Sequence, residues 1–210
     1  MALVTFDLDD TLFPEIEFVR SAYRAIASRY GLHLLPAMLA APTPREAFDS
    51  TGLPADVVLG LYRSHRPDIR LPWQSLHTLA LLHNSGYHTA IVTDGRAVTQ
   101  QNKIDALGLG RFVAPEDVFI SESFGHLKTD GEAFRALMLR YPGEAYVYVG
   151  DNPDKDFKVP RELGWRTVCL LDAGQNLHPQ RLAERNPDEL PDFTVRSLTE
   201  MPDLVSRMLV

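Results

Sequence analysis

The sequence is poor in cysteine, with the single thiol of Cys169 in 210 residues. One thiol excludes an internal disulfide framework and a metal site built from several cysteines. Because Cys169 lies within the apolar run 168–171, we expect it to be buried in the core. Any metal site in this protein must therefore use other ligands.

Long apolar runs and an excess of positive charge are also missing. No run approaches the roughly 18 apolar residues that a membrane-spanning helix needs, and Asp7 lies where a signal peptide would be apolar. The formal net charge of -7 argues against binding to nucleic acid or to an anionic membrane. We therefore expect a cytoplasmic protein with neither nucleic acid nor membrane as a partner.

The chain does contain enough apolar sequence for a large core, since 45% of its residues are hydrophobic and 23% are charged. Apolar segments with the character of strands alternate with segments of helical periodicity. We predict strands at 2–8, 89–93, 118–120, 145–149, 167–171 and 193–195. Apolar strands separated by helices indicate an α/β fold, a Rossmann-like parallel sheet with helices on both faces.

Residues 14–72 interrupt this alternation. Their periodicity is helical, and Thr43-Pro44-Arg45-Glu46 has the form of a capping box with proline at the first helical position. Nothing in the segment favours a strand. We therefore predict a small all-helical insert at 14–72, and a core formed by 1–13 and 73–210.

Polar residues collect where the predicted strands end. They are Asp7, Asp9 and Asp10 after the first strand, Thr93, Asp94 and Gly95 after the second, Asp151 and Asp156 after the fourth, and Lys128 between these last two groups. In parallel sheets, ligands bind at the carboxyl ends of the strands. Several carboxylates at one edge require a cation, and their hard oxygen ligands suit Mg²⁺ together with a phosphate.

These residues resemble the four motifs of the haloacid dehalogenase superfamily of phosphohydrolases. The first is Asp7-Leu8-Asp9-Asp10-Thr11, the second Thr93, the third Lys128, and the fourth extends from Gly150-Asp151 to Asp156. The four motifs occur in the family's order, each in its strand context, and the resemblance covers nearly the whole chain.

The resemblance implies that Asp7 is the nucleophile and Asp9 the general acid and base. Residue chemistry agrees, because an aspartate can attack phosphorus, and alternation along a strand turns Asp7 and Asp9 to the same face. Asp10 faces the other way, so we expect it to fix the turn.

The resemblance further implies that Thr93, Lys128 and the backbone near Asp94 and Gly95 bind the phosphoryl group. For Asp94 itself, a role in capping the backbone is favoured over a metal role. The implied Mg²⁺ ligands are Asp7, Asp151, the carbonyl of Asp9, and Asp156 directly or through water.

A helical insert between the first two motifs resembles a C1-type cap that closes over the site. Within it lies a basic cluster, Arg63, Arg66 and Arg70, which could bind an anionic substrate group or form a solvated face. We favour the solvated face.

We therefore predict a Mg²⁺-dependent phosphatase of a small phosphorylated metabolite, such as a nucleotide monophosphate or a sugar phosphate, acting as a monomer or homodimer. A phosphomutase or phosphotransferase would use the same motifs and stays open. A dehalogenase would not need Asp9 or the fourth motif. A receiver-like signalling protein would be shorter, and a non-catalytic binding module would have lost a motif.

Overall fold

A parallel sheet forms the centre of the computed structural model, which describes residues 1–209. Its strands are β1 (Ala2–Phe6), β2 (His88–Thr93), β3 (Val118–Ile120), β4 (Ala145–Gly150), β5 (Arg166–Leu170) and β6 (Phe193–Val195). They lie in the order β3-β2-β1-β4-β5-β6, and each neighbouring pair is parallel. The chain moves outward from β1 to β3 and then returns to β4 on the other side of β1. The sheet therefore has its topological switch point between β1 and β4, where ligands bind in folds of this kind.

Helices cover both faces of the sheet. The α-helices are α1 (Glu15–Tyr30), α2 (Leu34–Ala40), α3 (Pro44–Asp49), α4 (Ala55–Ser64), α5 (Trp73–Asn84), α6 (Ala97–Leu107), α7 (Ser121–Phe124), α8 (Glu132–Arg140), α9 (Lys158–Glu162) and α10 (Met201–Met208). On one face, Val4 and Phe6 of β1 belong to a core shared with α5, α6 and α10. On the other face, Leu3 packs in a core that includes Phe134 and Leu137 of α8. Alternation along β1 thus buries successive side chains in two different cores.

The segment between β1 and α5 contains α1 to α4 and, within the described residues, no strand. The Thr43 hydroxyl accepts a hydrogen bond from the backbone N–H of Glu46 at 3.2 Å, which caps α3 as the sequence predicts. Apolar residues of these helices form a cluster of their own around Val19, Ile26 and Met38. The segment therefore carries a small core separate from the two cores of the sheet.

Every strand boundary lies within two residues of the predicted one, and the predicted α/β architecture with a parallel sheet is confirmed. Helix α2 lies within the predicted helical insert, but it was not predicted as a separate helix. It is only seven residues long and no side chain caps its start, so local sequence favours it only weakly. Burial of Leu34 and Met38 in the cluster of the insert stabilises it instead.

Candidate active site

The carboxylate of Asp7 lies at the switch point of the sheet, directly after β1. Its backbone N–H donates to the carbonyl of Val149 in β4 at 2.8 Å, so the residue is held against the neighbouring strand. Its Oδ1 lies 2.7 Å from the Nζ of Lys128, and both side chains are buried. This geometry presents one oxygen to a fixed ammonium at the carboxyl edge of the sheet.

Lys128 binds two carboxylates, since its Nζ also lies 2.8 Å from Oδ1 of Asp156. Burial disfavours the charged ammonium, but Asp156 and Asp7 outweigh burial and raise the pKa of Lys128 well above its usual value. Lys128 is therefore a permanent cation at the centre of the site.

Asp156 is completely buried and uses both oxygens. Oδ2 accepts the backbone N–H groups of Asp151 and Asn152 at 3.1 and 2.8 Å, and Oδ1 accepts from Lys128 and from the hydroxyl of Tyr148. Gly150 lets the carboxylate approach this closely, because a Cβ at Gly150 would overlap the Asp156 carboxylate. Asp156 thus fixes the loop after β4 and orients Lys128, and these contacts leave it less free than Asp151 to bind a metal directly.

Three carboxylates could share a metal ion, because single oxygens of Asp7, Asp151 and Asp156 lie within 4.8 Å of one another. Burial raises the pKa of Asp7 to about 7; Lys128 opposes this shift and Asp156 adds to it. Burial together with Asp7 and Asp156 raises the pKa of Asp151 to about 9. These crowded oxygens need more positive charge than Lys128 supplies, so a small hard cation fits them.

Asp9 and Thr93 are joined by one side chain, that of Gln100 at the start of α6. Its Nε2 donates to Oδ2 of Asp9 at 2.9 Å and to Oγ1 of Thr93 at 2.7 Å. Because the Thr93 hydroxyl oxygen accepts this bond, its hydrogen is free to donate to a ligand. Lys103, one turn further along α6, lies 2.6 and 2.8 Å from the two oxygens of Asp9.

Asp10 and Asp94 support the backbone. Asp10 has a positive φ of 55°, and its carboxylate accepts the backbone N–H groups of Glu15 at 2.8 Å and Leu177 at 3.0 Å. It thus fixes the exit from β1, and its predicted role in the turn is confirmed. Asp94 accepts the backbone N–H of Lys128 at 3.1 Å, a contact that agrees with the expected capping role.

These side chains surround a cavity of about 150 Å³. Among the residues predicted from the sequence for catalysis, substrate binding or metal binding, those that line it are Asp7, Asp9, Thr93, Asp94, Lys128 and Asp151. Asp156 lies behind Lys128. Gly95 lines a neighbouring open cleft, and its N–H donates to the Ser121 hydroxyl at 3.0 Å. The structure therefore gathers the residues predicted for the site at one edge of the sheet, but it brings neither Gly95 nor Asp156 into the cavity.

The basic cluster of the insert lies elsewhere. Arg63, Arg66 and Arg70 do not line the cavity, and Arg66 and Arg70 are exposed. His65, between Arg63 and Arg66 in the sequence, is buried and packs against the ring of Phe18. The favoured interpretation of this cluster as a solvated face agrees with these positions.

Several residues around the cavity were not found from the sequence. They are Glu15, Gln100, Lys103, Asn152, Lys155, Asn176 and His178. Gln100 and Lys103 did leave a signal, because they share the buried face of α6 with Ile104 and Leu107, and a lysine on an apolar helix face requires a buried anionic partner. The loop containing Asn176, whose Nδ2 donates to Oδ2 of Asp151 at 2.7 Å, has no such periodicity.

Burial raises the pKa of Glu15 to about 8, with Asp9 adding to the shift and Lys103 opposing it. Glu15 is the first residue of α1, so the insert contributes a carboxyl group to the cavity wall.

Within the described residues, none of the helices combines the length and apolarity needed to span a membrane.

Comparison with known proteins identifies the family. A sequence model described as haloacid dehalogenase-like hydrolase matches residues 1–164. Because this match covers well over half of the chain, the protein belongs to the haloacid dehalogenase-like hydrolases.

Relatives along almost the full length include the glyceraldehyde 3-phosphate phosphatase of Methanocaldococcus jannaschii, which is 30% identical over 98% of this chain and 97% of its own length. The phosphoserine phosphatase of Thermus thermophilus is also 30% identical, over 86% of this chain and 73% of its own length. The predicted identity as a phosphohydrolase of this superfamily is confirmed.

Solved structures agree on the fold. The putative HAD-hydrolase YfnB from Bacillus subtilis, bound to magnesium, has a TM-score of 0.67 at 20% identity and covers 97% of both chains. A 2-haloacid dehalogenase from Pseudomonas syringae has a TM-score of 0.66 at 22% identity and covers 99% of both chains. At these identities the likeness concerns architecture alone.

Proposed function

We propose that the protein is a Mg²⁺-dependent phosphatase that hydrolyses a small phosphomonoester through an aspartyl-phosphate at Asp7. The observation that carries the proposal is the buried Asp7 carboxylate, fixed by Lys128 at 2.7 Å beside a polar cavity of about 150 Å³. A cavity of this size suits a phosphoryl group on a small metabolite rather than a macromolecule.

In the first step, the Asp7 oxygen that is not held by Lys128 attacks phosphorus, and the bond from phosphorus to the leaving oxygen breaks. Asp9 donates a proton to the departing alkoxide. In the second step, Asp9 takes a proton from water, which attacks the phosphorus of the aspartyl-phosphate and releases inorganic phosphate. The Asp7 carboxylate is then restored.

The other residues of the cavity bind the phosphoryl group. The Thr93 hydroxyl, oriented by Gln100, donates to one phosphoryl oxygen, and the Lys128 ammonium balances the negative charge between Asp7 and the phosphate. Mg²⁺, held by Asp7 and Asp151 with Asp156 behind them, would neutralise charge on the phosphoryl oxygens.

The insert is proposed to act as the cap of the family. It carries its own apolar cluster and lends Glu15 to the cavity wall, which supports a separate element that meets the site at one end. The names of the relatives suggest glyceraldehyde 3-phosphate and phosphoserine as substrates to test first.

The test measures release of inorganic phosphate from those two compounds, a sugar phosphate and a nucleoside monophosphate, with Mg²⁺ or with EDTA. Asp7→Asn should lower turnover about 1000-fold or more, because the nucleophile is lost. Wild-type turnover should require Mg²⁺. Equal rates for the wild type and Asp7→Asn would overturn the proposal.

Asp117→Asn is the matched control. Asp117 is equally buried and binds Arg140 and Tyr141, but it precedes β3 and so lies at the opposite edge of the sheet. Its replacement should cost stability and leave turnover per folded molecule unchanged. Transfer of phosphate to an added alcohol without release into water would favour a phosphotransferase instead.

A further inference from the structure

Lys103 is a buried cation whose role goes beyond the family motifs. Its Nζ lies 2.6 and 2.8 Å from the two oxygens of Asp9, and its side chain is 2% exposed. Lys103 does not line the catalytic cavity. It therefore contacts the reacting groups only through Asp9.

Two aromatic rings and a second carboxylate also lie around the ammonium. Nζ lies 4.4 Å from the ring centroid of Phe18 and 5.8 Å from that of Phe13, and the carboxylate of Glu15 is 3.9 Å away. These cation–π contacts and the burial of the side chain restrict the movement of the lysine. Asp9, whose side chain is only partly buried, is thereby bound to a rigid partner.

Gln100 restricts Asp9 from a second direction. Its Nε2 donates to Oδ2 of Asp9 and also to Oγ1 of Thr93, so the carboxylate is linked to the end of β2. Since a carboxylate can only accept, the nitrogen end of the amide must face Asp9. Two donors one turn apart on α6 therefore define the rotamer of Asp9.

We propose that Lys103 and Gln100 are positioning residues that hold the Asp9 carboxylate in the orientation for proton transfer. The inference rests on the proposed function, because it requires Asp9 to be the acid and base of the reaction. A displacement of about 1 Å in a reacting group can cost 100-fold in rate, so loss of this support acts on turnover more than on substrate binding.

The test begins with Lys103→Met, which keeps most of the unbranched apolar stem in its aromatic surroundings and removes the ammonium. We expect kcat to fall between about 10- and 100-fold with KM little changed. The loss should be larger for an alkyl phosphate than for dinitrophenyl phosphate, whose leaving group needs no proton. Lys103→Arg should recover part of the activity, and Gln100→Leu should show the same dependence on the leaving group.

A double-mutant cycle separates positioning from a purely structural role. If Lys103 acts through Asp9, Lys103→Met should cause no further loss in an Asp9→Asn background. Lys158→Met serves as the control, since Lys158 forms an exposed ion pair with Asp188 and should keep full activity. Thermal unfolding of each variant shows whether it is folded.

The outcomes distinguish the two proposals. Full activity in Lys103→Met, additive losses in the cycle, or equal losses for both leaving groups would overturn the positioning role and leave the phosphatase mechanism intact. Full activity in Asp9→Asn would overturn the acid and base assignment, and the positioning role with it. If Lys103→Met does not fold, Lys103→Gln and its cycle with Asp9→Asn decide by the same criteria, whereas Gln100→Leu cannot replace it because Gln100 also orients Thr93.

Discussion

Asp156 supports the site through the groups that it holds in place. Its four hydrogen-bond partners are the N–H groups of Asp151 and Asn152, the Lys128 ammonium and the Tyr148 hydroxyl. A buried carboxylate with this many donors is fully compensated. The Asp156 carboxylate therefore holds both Lys128 and the loop that carries Asp151.

Replacing this carboxylate should be costly. Asp156→Asn replaces one carboxylate oxygen by an NH₂ donor, which must face either the N–H groups of the loop or the Lys128 ammonium. It also leaves Asp7 as the one remaining carboxylate paired with Lys128. We expect a loss of about 3 to 5 kcal/mol in the free energy of unfolding, as is typical when one partner of a buried ion pair is removed. Urea denaturation measures the loss.

Asp154→Asn provides the comparison within the same loop. Asp154 is exposed and pairs with Arg185 at the surface. Exposed ion pairs contribute little to stability, so this variant should unfold like the wild type. A similar loss in both variants would contradict the role assigned to Asp156.

At the scale of the elements, the sequence was informative where periodicity and strand ends coincide. Asp7 and Asp151 follow apolar strands, and parallel topology alone brings them together at one edge. The contact of Lys103 with Asp9 joins residues that are far apart in sequence, and it depends on how α6 packs. The loop with Asn176 has neither periodicity nor a motif, so its approach to Asp151 could not be inferred.

Replacing two of the glycines by alanine should change the stability of the protein in opposite directions. Gly150 ends β4 against the Asp156 carboxylate, whereas Gly60 lies in α4 with open space where a Cβ would be. Gly150→Ala should destabilise by about 1 to 3 kcal/mol because the loop must shift. Gly60→Ala should stabilise by about 0.5 to 1 kcal/mol through helix propensity.

Thermal unfolding of the two alanine variants measures whether each substitution destabilises or stabilises the protein. Gly150→Ala should also lower turnover, since the shifted loop carries Asp151, and Gly60→Ala should leave turnover unchanged. A Gly150→Ala protein with the stability and activity of the wild type would show that the close approach of Asp156 is not required.

At the scale of the whole molecule, the sheet concentrates negative charge at one edge. Asp7, Asp151 and Asp156 meet there because β1 and β4 are adjacent although far apart in sequence. Lys128 compensates only part of this charge. Folding therefore forces carboxylates together that would be well solvated in the unfolded chain, and the stability of the metal-free protein must depend on pH.

The direction in which stability changes with pH follows from the pKa values. Folding raises the pKa of Asp7 from 3.8 to about 7 and that of Asp151 from 3.8 to about 9, so the folded state binds protons more tightly. Stability of the metal-free protein should then fall as the pH rises through this window. One unit of pKa shift corresponds to about 1.4 kcal/mol, and for a domain of this size about 1 kcal/mol moves Tm by about 2 to 4 °C.

Mg²⁺ should reverse this loss, because the cation compensates the carboxylates when their protons are gone. We expect the Mg²⁺-induced rise in Tm, measured against EDTA, to be small near about pH 5 and several degrees near about pH 8.

Asp151→Asn removes one of the crowded charges and one ligand, so its metal-free form should be more stable than the wild type at the higher pH and should respond weakly to Mg²⁺. Asp117→Asn, at the other edge of the sheet, should keep the wild-type response. A Mg²⁺ effect that is equal at both pH values, or unchanged in Asp151→Asn, would show that the ion does not bind between these carboxylates.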